Sequence, residues 1–182
     1  MLRTSDILDE KDKHLRNKNV DVTFPLKEET KKLINDMLEH LYYSQIEEYS
    51  EKYDLRPGMG LAAPQLGVNE RFFVVCHEES ENVFKNYILI NPKMISHSEE
   101  LIYASEGEGC LSVNRDVEGI VPRYARVTFT GYNLEGKEVK YRAREELSIA
   151  FQHEMDHLNG ILFIDHIDPK NPYKNKDYMR EI

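Results

Sequence analysis

The first regular pattern of apolar residues lies between Leu26 and Tyr43, where they recur at helical spacing. The segment follows a proline and has acidic residues in its first turn, as helix starts often do. Its apolar positions are Leu33, Ile34, Met37, Leu38 and Leu41. The pattern predicts an amphipathic helix, and "SQIEEYSEKYDL" predicts a further turn or two before "RPG" ends it.

The middle of the chain alternates between short apolar runs and polar turns. The runs "RFFVVC", "NYILINP" and "LIYAS" are rich in β-branched and aromatic residues, which favours strands. "YARVTFTGYN" and "KEVKYRA" flank a turn at "LEGK" and predict two more strands. The last apolar run, "ILFIDHI", predicts a short strand or turn before a tail broken by prolines.

A second helix is predicted near the end of the chain, with an apolar stripe that would bury one of its sides. The stripe consists of Leu147, Ala150, Phe151 and Leu158. Runs of strands between two helices indicate an α+β fold rather than alternating α/β units. A length of 182 residues without a linker or a repeat predicts a single domain, residues 1–182.

Composition and charge narrow the class of protein. No apolar run approaches the roughly 18 residues of a membrane span. The net charge of −9 argues against non-specific nucleic-acid binding, which needs clustered basic residues. Because the sequence has only two cysteines and its N-terminus lacks signal-peptide features, a reducing cytoplasm is the expected setting.

The stretch "QHEMDHLNG", on the second predicted helix, carries the clearest chemical signal. His153 and His157 are four residues apart, so they project from nearly the same helix face and could share one metal ion. Glu154 lies about 100° round from His153, close enough to take a proton from a metal-bound water. The pattern indicates a metal-dependent hydrolase. A surface helix that carries three polar residues without any metal would show the same pattern.

A catalytic site of this type needs a third protein ligand. The metzincin pattern would continue to a histidine at the position of Phe163, so that pattern fails. The thermolysin-like pattern needs a glutamate on a following helix, yet the chain has Gly160 and Pro169 and then ends. The third ligand is therefore expected upstream or in the tail, where Asp165 and His166 are candidates.

The upstream candidate is Cys110, in the glycine-rich stretch "EGEGCLS". A thiolate is a strong ligand for zinc or ferrous iron, and a neighbouring glycine allows close approach to a metal. A single cysteine can equally be a buried small hydrophobic residue. That interpretation fits Cys76, inside "RFFVVC", whereas both interpretations stay open for Cys110.

A third unusual stretch, "PGMGLAAPQLG", is punctuated by glycine and proline. It is typical of a tight connection between a helix and a strand. It would also suit a backbone ledge along which an extended peptide pairs, with Gln65 donating a hydrogen bond into the site.

Together, "GMGLAAPQ", "EGCLS" and "QHEMDH" resemble the three motifs of the peptide deformylase family, in the family's order. The resemblance runs from about Pro57 to Asp168, and the longer segment before the first motif is similar to the subclass typical of Gram-positive bacteria. It implies antiparallel strands packed around a central metal-binding helix, with an N-terminal helix. It also implies an enzyme that removes the N-formyl group from formyl-methionine on newly synthesised polypeptides.

The resemblance assigns a role to each matching residue. The implied metal ligands are Cys110, His153 and His157. Glu154 is the implied general acid/base for attack by a metal-bound hydroxide. The groups implied to hold the oxyanion are Gln65 and the backbone N–H of Leu111. The backbone implied to pair with the substrate belongs to Met59, Gly60 and Gly109.

Supporting roles follow from the same resemblance. Arg123 is expected to pair with Glu108 and brace the cysteine loop, and Gln152 and Asp156 are expected to steady the ligands. The methionine side chain needs a deep apolar pocket. Its candidate wall is the side of the helix with Ile149, Phe151 and His153.

The cofactor implied by the family is one divalent ion, expected to be Fe²⁺, for which Zn²⁺, Ni²⁺ or Co²⁺ can substitute. The implied partners are formyl-methionyl nascent peptides, with a transient ribosome contact and neither a nucleic-acid motif nor a membrane. Two alternatives stay open. One is a zincin-type metallopeptidase that cuts internal peptide bonds, and the other is an inactive relative that binds formylated N-termini or a partner protein.

Overall fold

Helix α1 spans Glu28–Ser44 and buries the apolar face predicted from the sequence. Ile34, Met37 and Leu41 are fully buried in the largest of the apolar clusters. A shorter helix, α2, follows at Glu47–Tyr53 and corresponds to the further turns predicted before "RPG". Both predictions are confirmed in this computed structural model, which describes residues 1–182.

Eight strands complete the fold together with one more helix. In chain order they are β1 Gly60–Ala62, β2 Phe72–Ser80, β3 Val83–His97, β4 Leu101–Tyr103, β5 Arg123–Tyr124, β6 Arg126–Tyr132, β7 Glu138–Arg144 and β8 Arg180–Glu181. Five of them form an antiparallel sheet in the order β1-β2-β3-β6-β7. The short strand β1 is therefore an edge strand, paired on one side only.

A smaller sheet has the order β5-β4-β8. Strand β5 runs antiparallel to β4, whereas β8 runs parallel to it. The sequence predicted a tail broken by prolines after "ILFIDHI" and no strand in it, so the docking of Arg180 and Glu181 beside β4 was missed. Its consequence is that Arg180 and Glu181 pair with β4 as an edge strand of the smaller sheet.

Helix α3, Glu145–Leu158, carries the "QHEMDH" motif and starts directly after β7. Leu147, Phe151 and Leu158 are buried against the five-stranded sheet. Phe151 packs edge-on against Phe73 and Phe129, with ring centroids 5.9 and 5.6 Å away. This aromatic contact fixes one side of α3 to the sheet and leaves the other side to face a cavity.

The run "ILFIDHI" is a 3-10 helix over Phe163–His166, so the strand alternative for this segment was wrong. The side chain of Asp165 accepts a hydrogen bond from the Leu162 N–H at 2.9 Å, and this local bond competes with a strand ladder.

The α+β prediction, with antiparallel strands around the motif-bearing helix, is confirmed. Both long helices are present, and so are the predicted strands apart from the alternative for "ILFIDHI". No helix in the structure combines the length and the apolar composition that crossing a membrane requires.

Candidate metal centre and substrate cavity

The structure brings Cys110, His153 and His157 together at the base of the cavity beside α3. Their candidate ligand atoms all lie within 4.8 Å of one another. Cys110 comes from the loop between β4 and β5, and its Sγ is 3.3 Å from His157 Nε2. The helix supplies both histidines because a four-residue step returns to the same face.

The chemistry of this donor set fits a divalent transition metal. One thiolate with two imidazoles accepts zinc or ferrous iron, and three protein ligands leave a coordination position open. His153 Nδ1 is 2.9 Å from Glu108 Oε2, which leaves Nε2 for a metal. A carboxylate on the outer ring nitrogen is the usual partner of a metal-binding histidine.

The other candidates for the third ligand bind elsewhere. Asp165 forms an ion pair with Arg16, and His166 Nε2 lies 2.8 Å from Asp156 Oδ2. Cys76 is fully buried within β2, and burial raises the pKa of its thiol to about 11. Among these residues only Cys110 lies with the two histidines.

Glu154 lies next to this cluster and is almost fully buried. Its Oε2 has no hydrogen-bond partner, and burial raises the pKa of its carboxyl group to about 7. A buried carboxylate with an unused oxygen and a pKa near neutrality is suited to accept and return a proton. Gly60 makes room for it, since a Cβ at Gly60 would lie 2.7 Å from the Glu154 Cδ atom.

Gln65 is buried with its amide beside the cysteine. Its Oε1 accepts a hydrogen bond from the Ala62 N–H at 2.9 Å, and its Nε2 donates to Ser112 Oγ at 3.1 Å and approaches Cys110 Sγ at 3.7 Å. These contacts fix the orientation of the amide. The neighbouring backbone N–H of Leu111 donates no hydrogen bond within the protein, so it is free for an outside acceptor.

A buried ionic network supports His153, the first of the two histidines. Arg123 makes a bidentate pair with Glu108, at 2.7 and 2.9 Å, and also bonds Asp156 at 2.7 Å. Burial by itself would raise the pKa of Glu108, but the charge and hydrogen bonds of Arg123, with His153, lower it to about 2. The structure thus places Arg123 where the sequence expected it, with Asp156 as a further partner.

Gln152 ties the same helix to the smaller sheet. Its Oε1 accepts from the Tyr124 N–H at 2.9 Å, and its Nε2 donates to the Tyr124 carbonyl at 3.0 Å. Through these two hydrogen bonds the Gln152 side chain pairs with a backbone N–H and a backbone carbonyl of β5, which is the pairing that a neighbouring strand would make. The motif helix is therefore held by a polar contact on this side and by the Phe151 contact on the other.

Replacing Arg123 with methionine should lower the free energy of unfolding by about 3–5 kcal/mol, because the buried carboxylate of Glu108 would lose the guanidinium that neutralises its charge. Urea denaturation measures this. Arg126→Met is the matched control, since its ion pair with Glu100 is largely exposed and should contribute less than about 1 kcal/mol. Equal losses in both variants would contradict the argument.

The cavity has a volume of about 790 Å³, within the range of ligand sites. The segment Pro57–Met59, which leads into β1, lines it together with Gly60, the first residue of β1, and with Gly109 and Leu111. The helix contributes Ile149 and His153 as expected. Phe151 was wrongly assigned to this wall, since it is fully buried against the five-stranded sheet.

The lining residues that were not foreseen in the sequence include Arg56, Ala104 and Ile182. Arg56 bonds Asn114 at 2.6 Å and also donates to the Cys110 carbonyl, so it holds the cysteine loop. The only feature of the sequence that could have indicated Arg56 is its position next to the "PGMG" stretch. Ile182 reaches the cavity through the unpredicted strand β8, and no sequence pattern marked it.

Comparison with known proteins agrees with this geometry. The family model described as polypeptide deformylase matches residues 4–173. The chain is 45% identical to peptide deformylase 2 of Bacillus anthracis over 97% of this chain and 96% of that protein. It is 49% identical to the peptide deformylase of Macrococcus caseolyticus over 96% of this chain and 95% of that protein.

Solved structures lead to the same family. The peptide deformylase of Thermotoga maritima is similar with a TM-score of 0.71 and 34% identity, over 90% of this chain and 97% of that one. A probable peptide deformylase from Synechococcus phage S-SSM7 has a TM-score of 0.73 and 36% identity, over 88% of this chain and 98% of that one. The chain belongs to the peptide deformylase family.

Proposed function

We propose that this chain, as one catalytic domain over residues 1–182, removes the N-formyl group from formyl-methionine at the start of newly synthesised polypeptides. The observation that carries the proposal is the cluster of Cys110, His153 and His157 with Glu154 buried beside it. An inactive binding protein would not need an unpartnered carboxylate at this position. Membership of the peptide deformylase family supports the same activity.

The three clustered side chains would hold one divalent ion, which we propose is Fe²⁺, with Zn²⁺, Ni²⁺ or Co²⁺ able to substitute. A divalent ion in such a site supplies Lewis acidity at neutral pH. Glu108 holds His153 in one orientation through Nδ1, and Arg123 fixes Glu108. The protein thus contributes a pre-oriented set of ligands rather than one that must assemble on binding.

Glu154 moves the proton in the proposed reaction. Its carboxylate accepts a proton from the attacking water and returns it to the leaving amine, which is work worth about 10²- to 10⁴-fold in rate. The oxyanion would receive hydrogen bonds from the Leu111 N–H and the Gln65 amide. Loss of one such donor typically costs about 3–4 kcal/mol.

The substrate backbone is proposed to pair with β1. This strand is at the edge of the sheet, so backbone groups on its unpaired side can accept an extended peptide as an added strand. Met59 and Gly60 would supply one side of this pairing and Gly109 the other. Such pairing presents the formyl group of a chain's first residue to Glu154.

Gly60→Ala should lower kcat/KM by about 100-fold, because the added methyl would overlap the Glu154 carboxylate and displace it. The melting temperature should change by only a few degrees, since a side chain and not the backbone must give way. Steady-state kinetics with calorimetry measure both quantities. Full activity in the alanine variant would show that the position of Glu154 tolerates this displacement.

The cytoplasm is the proposed location, because nascent chains are made there and both cysteines are free thiols. A transient contact with the ribosome is proposed for the same reason. Co-sedimentation of the chain with ribosomes that carry a formylated nascent chain tests this contact, and equal sedimentation of the protein without ribosomes would reject it.

The central experiment compares two peptides under anaerobic conditions with added Fe²⁺ or Ni²⁺. Formyl-Met-Ala-Ser should release formate, whereas acetyl-Met-Ala-Ser should be stable because the acyl carbon of an acetyl group carries a methyl group that a cramped site excludes. The internal peptide bonds of both peptides should also remain uncleaved. If no formate is released, the proposal is wrong. Cleavage of internal peptide bonds would favour the metallopeptidase alternative.

A further inference from the structure

We infer that Ile182 is a specificity-determining residue of this cavity, where its side chain contacts the first side chain of the substrate and favours methionine. The inference rests on the proposed function, because it concerns the residue that carries the formyl group. It extends the wall of the apolar pocket from helix α3 to the end of β8.

Ile182 lines the cavity, and its partly buried side chain packs against a small apolar cluster. The cluster consists of Ile102, Ala125 and Ile149. Ile149 also lines the cavity and lies one helical turn before His153. One turn rises about 5.4 Å along the helix axis. Ile149, and Ile182 packed against its cluster, therefore lie about the length of one side chain from the three metal-ligand side chains.

The cavity side of α3 has three levels, each one turn apart. They are His153 with Glu154, Ile149 with Ala150, and Glu145 with Glu146. Only the middle level is apolar. Ala104 and Ile182 extend its apolar surface, since both line the cavity and pack against the cluster that contains Ile149. An unbranched thioether side chain fills an irregular apolar space of this kind well.

The backbone of Ile182 continues the parallel pairing of β8 with β4 through two hydrogen bonds. Its N–H donates to the Tyr103 carbonyl at 3.1 Å, and its carbonyl accepts from the Ser105 N–H at 2.9 Å. Arg180 makes a bidentate bond to Glu145, the first residue of α3, at 2.7 and 2.9 Å. The strand that carries Ile182 is therefore tied to the same helix that carries Ile149, which keeps the two walls of the pocket in register.

The test compares formyl-Met-Ala-Ser with formyl-Ala-Ala-Ser on the metal-loaded enzyme. In Ile182→Ala, kcat/KM for the methionyl peptide should fall about 10-fold, mainly through KM, because apolar contact to the ground state and the transition state is lost alike. The alanyl peptide should be unaffected, since a methyl side chain does not reach Ile182. The ratio of the two kcat/KM values should thus fall about 10-fold.

Ile95→Ala is the matched control, because the same atoms are removed from a residue of β3 that is 52% exposed and outside the cavity. Its ratio should match that of the unmodified enzyme. Ile182→Phe provides a second variant that keeps an apolar side chain against the cluster while narrowing the pocket. It should also lower use of the methionyl peptide relative to the alanyl one.

An unchanged ratio in both Ile182 variants would overturn the inference, even if their melting temperatures fell, because Ile182 would then serve the fold alone. Failure of the proposed function looks different. In that case the unmodified enzyme would release no formate from either peptide.

Discussion

Glu154→Gln is expected to lower turnover of a formylated peptide by about 10³-fold while the metal content stays unchanged. Glutamine has nearly the same volume as glutamate, so the packing of this buried site should persist. Its amide cannot accept the water proton at neutral pH or return it to the leaving amine. Formate release and elemental analysis of anaerobically purified protein measure the two quantities.

Glu138→Gln is the control for this substitution, because Glu138 is an exposed residue of β7 outside the cavity. It should keep full turnover. Loss of metal from Glu154→Gln would give Glu154 a role as a ligand, and retained turnover would remove it from the proton transfer. Metal content and turnover can both be measured on one preparation of the variant, so these two outcomes can be distinguished.

Cys110→Ser is expected to abolish stoichiometric metal binding, and with it turnover. A serine hydroxyl stays protonated at neutral pH, whereas a cysteine thiol near a metal loses its proton and binds as a thiolate. Both imidazoles would remain, but two ligands do not make a stable catalytic site. Metal content per chain should fall from about one to a small fraction of that value.

Cys76→Ala serves as the control, since this thiol is buried inside β2 away from the cluster. It should keep its metal although it loses some stability. The zincin-type alternative makes the opposite forecast. It requires that Cys110→Ser keep its metal and that a substitution in the tail, such as His166→Asn, lose it.

The helices and most strands could be predicted because their information is local. Helix α1 follows from apolar spacing alone, and the antiparallel strands follow from short β-branched runs between turns. The candidate site could be proposed from the sequence because three motifs occur in family order. Each motif places its residues on a separate element, and their meeting point becomes visible only in three dimensions.

Strand β8 could not be predicted, since Arg180 and Glu181 have no apolar periodicity. They become a strand through pairing with Ile102 and Tyr103, far away in the sequence. A local sequence pattern does not show which distant segment a strand pairs with. The same limit hid Ile182, whose place in the cavity depends entirely on that pairing.

The error at Phe151 has a simpler cause. Ile149 and Phe151 are two residues apart, so they lie roughly 200° apart around a helix and cannot share a wall. Ile149 and His153 are four apart and do share one. The apolar stripe had already assigned Phe151 to the core, and that assignment was the correct one.

The two edges of the five-stranded sheet meet different needs. An exposed strand edge invites pairing with other molecules and hence aggregation. At β7 the outward positions carry Lys140, Arg142 and Arg144, whose charges discourage a second copy from docking. At β1 the open edge is three residues long, and its first residue, Gly60, lines the cavity. Under the proposed function, the open edge at β1 takes the substrate backbone, whereas the charges along β7 disfavour edge pairing with a second copy.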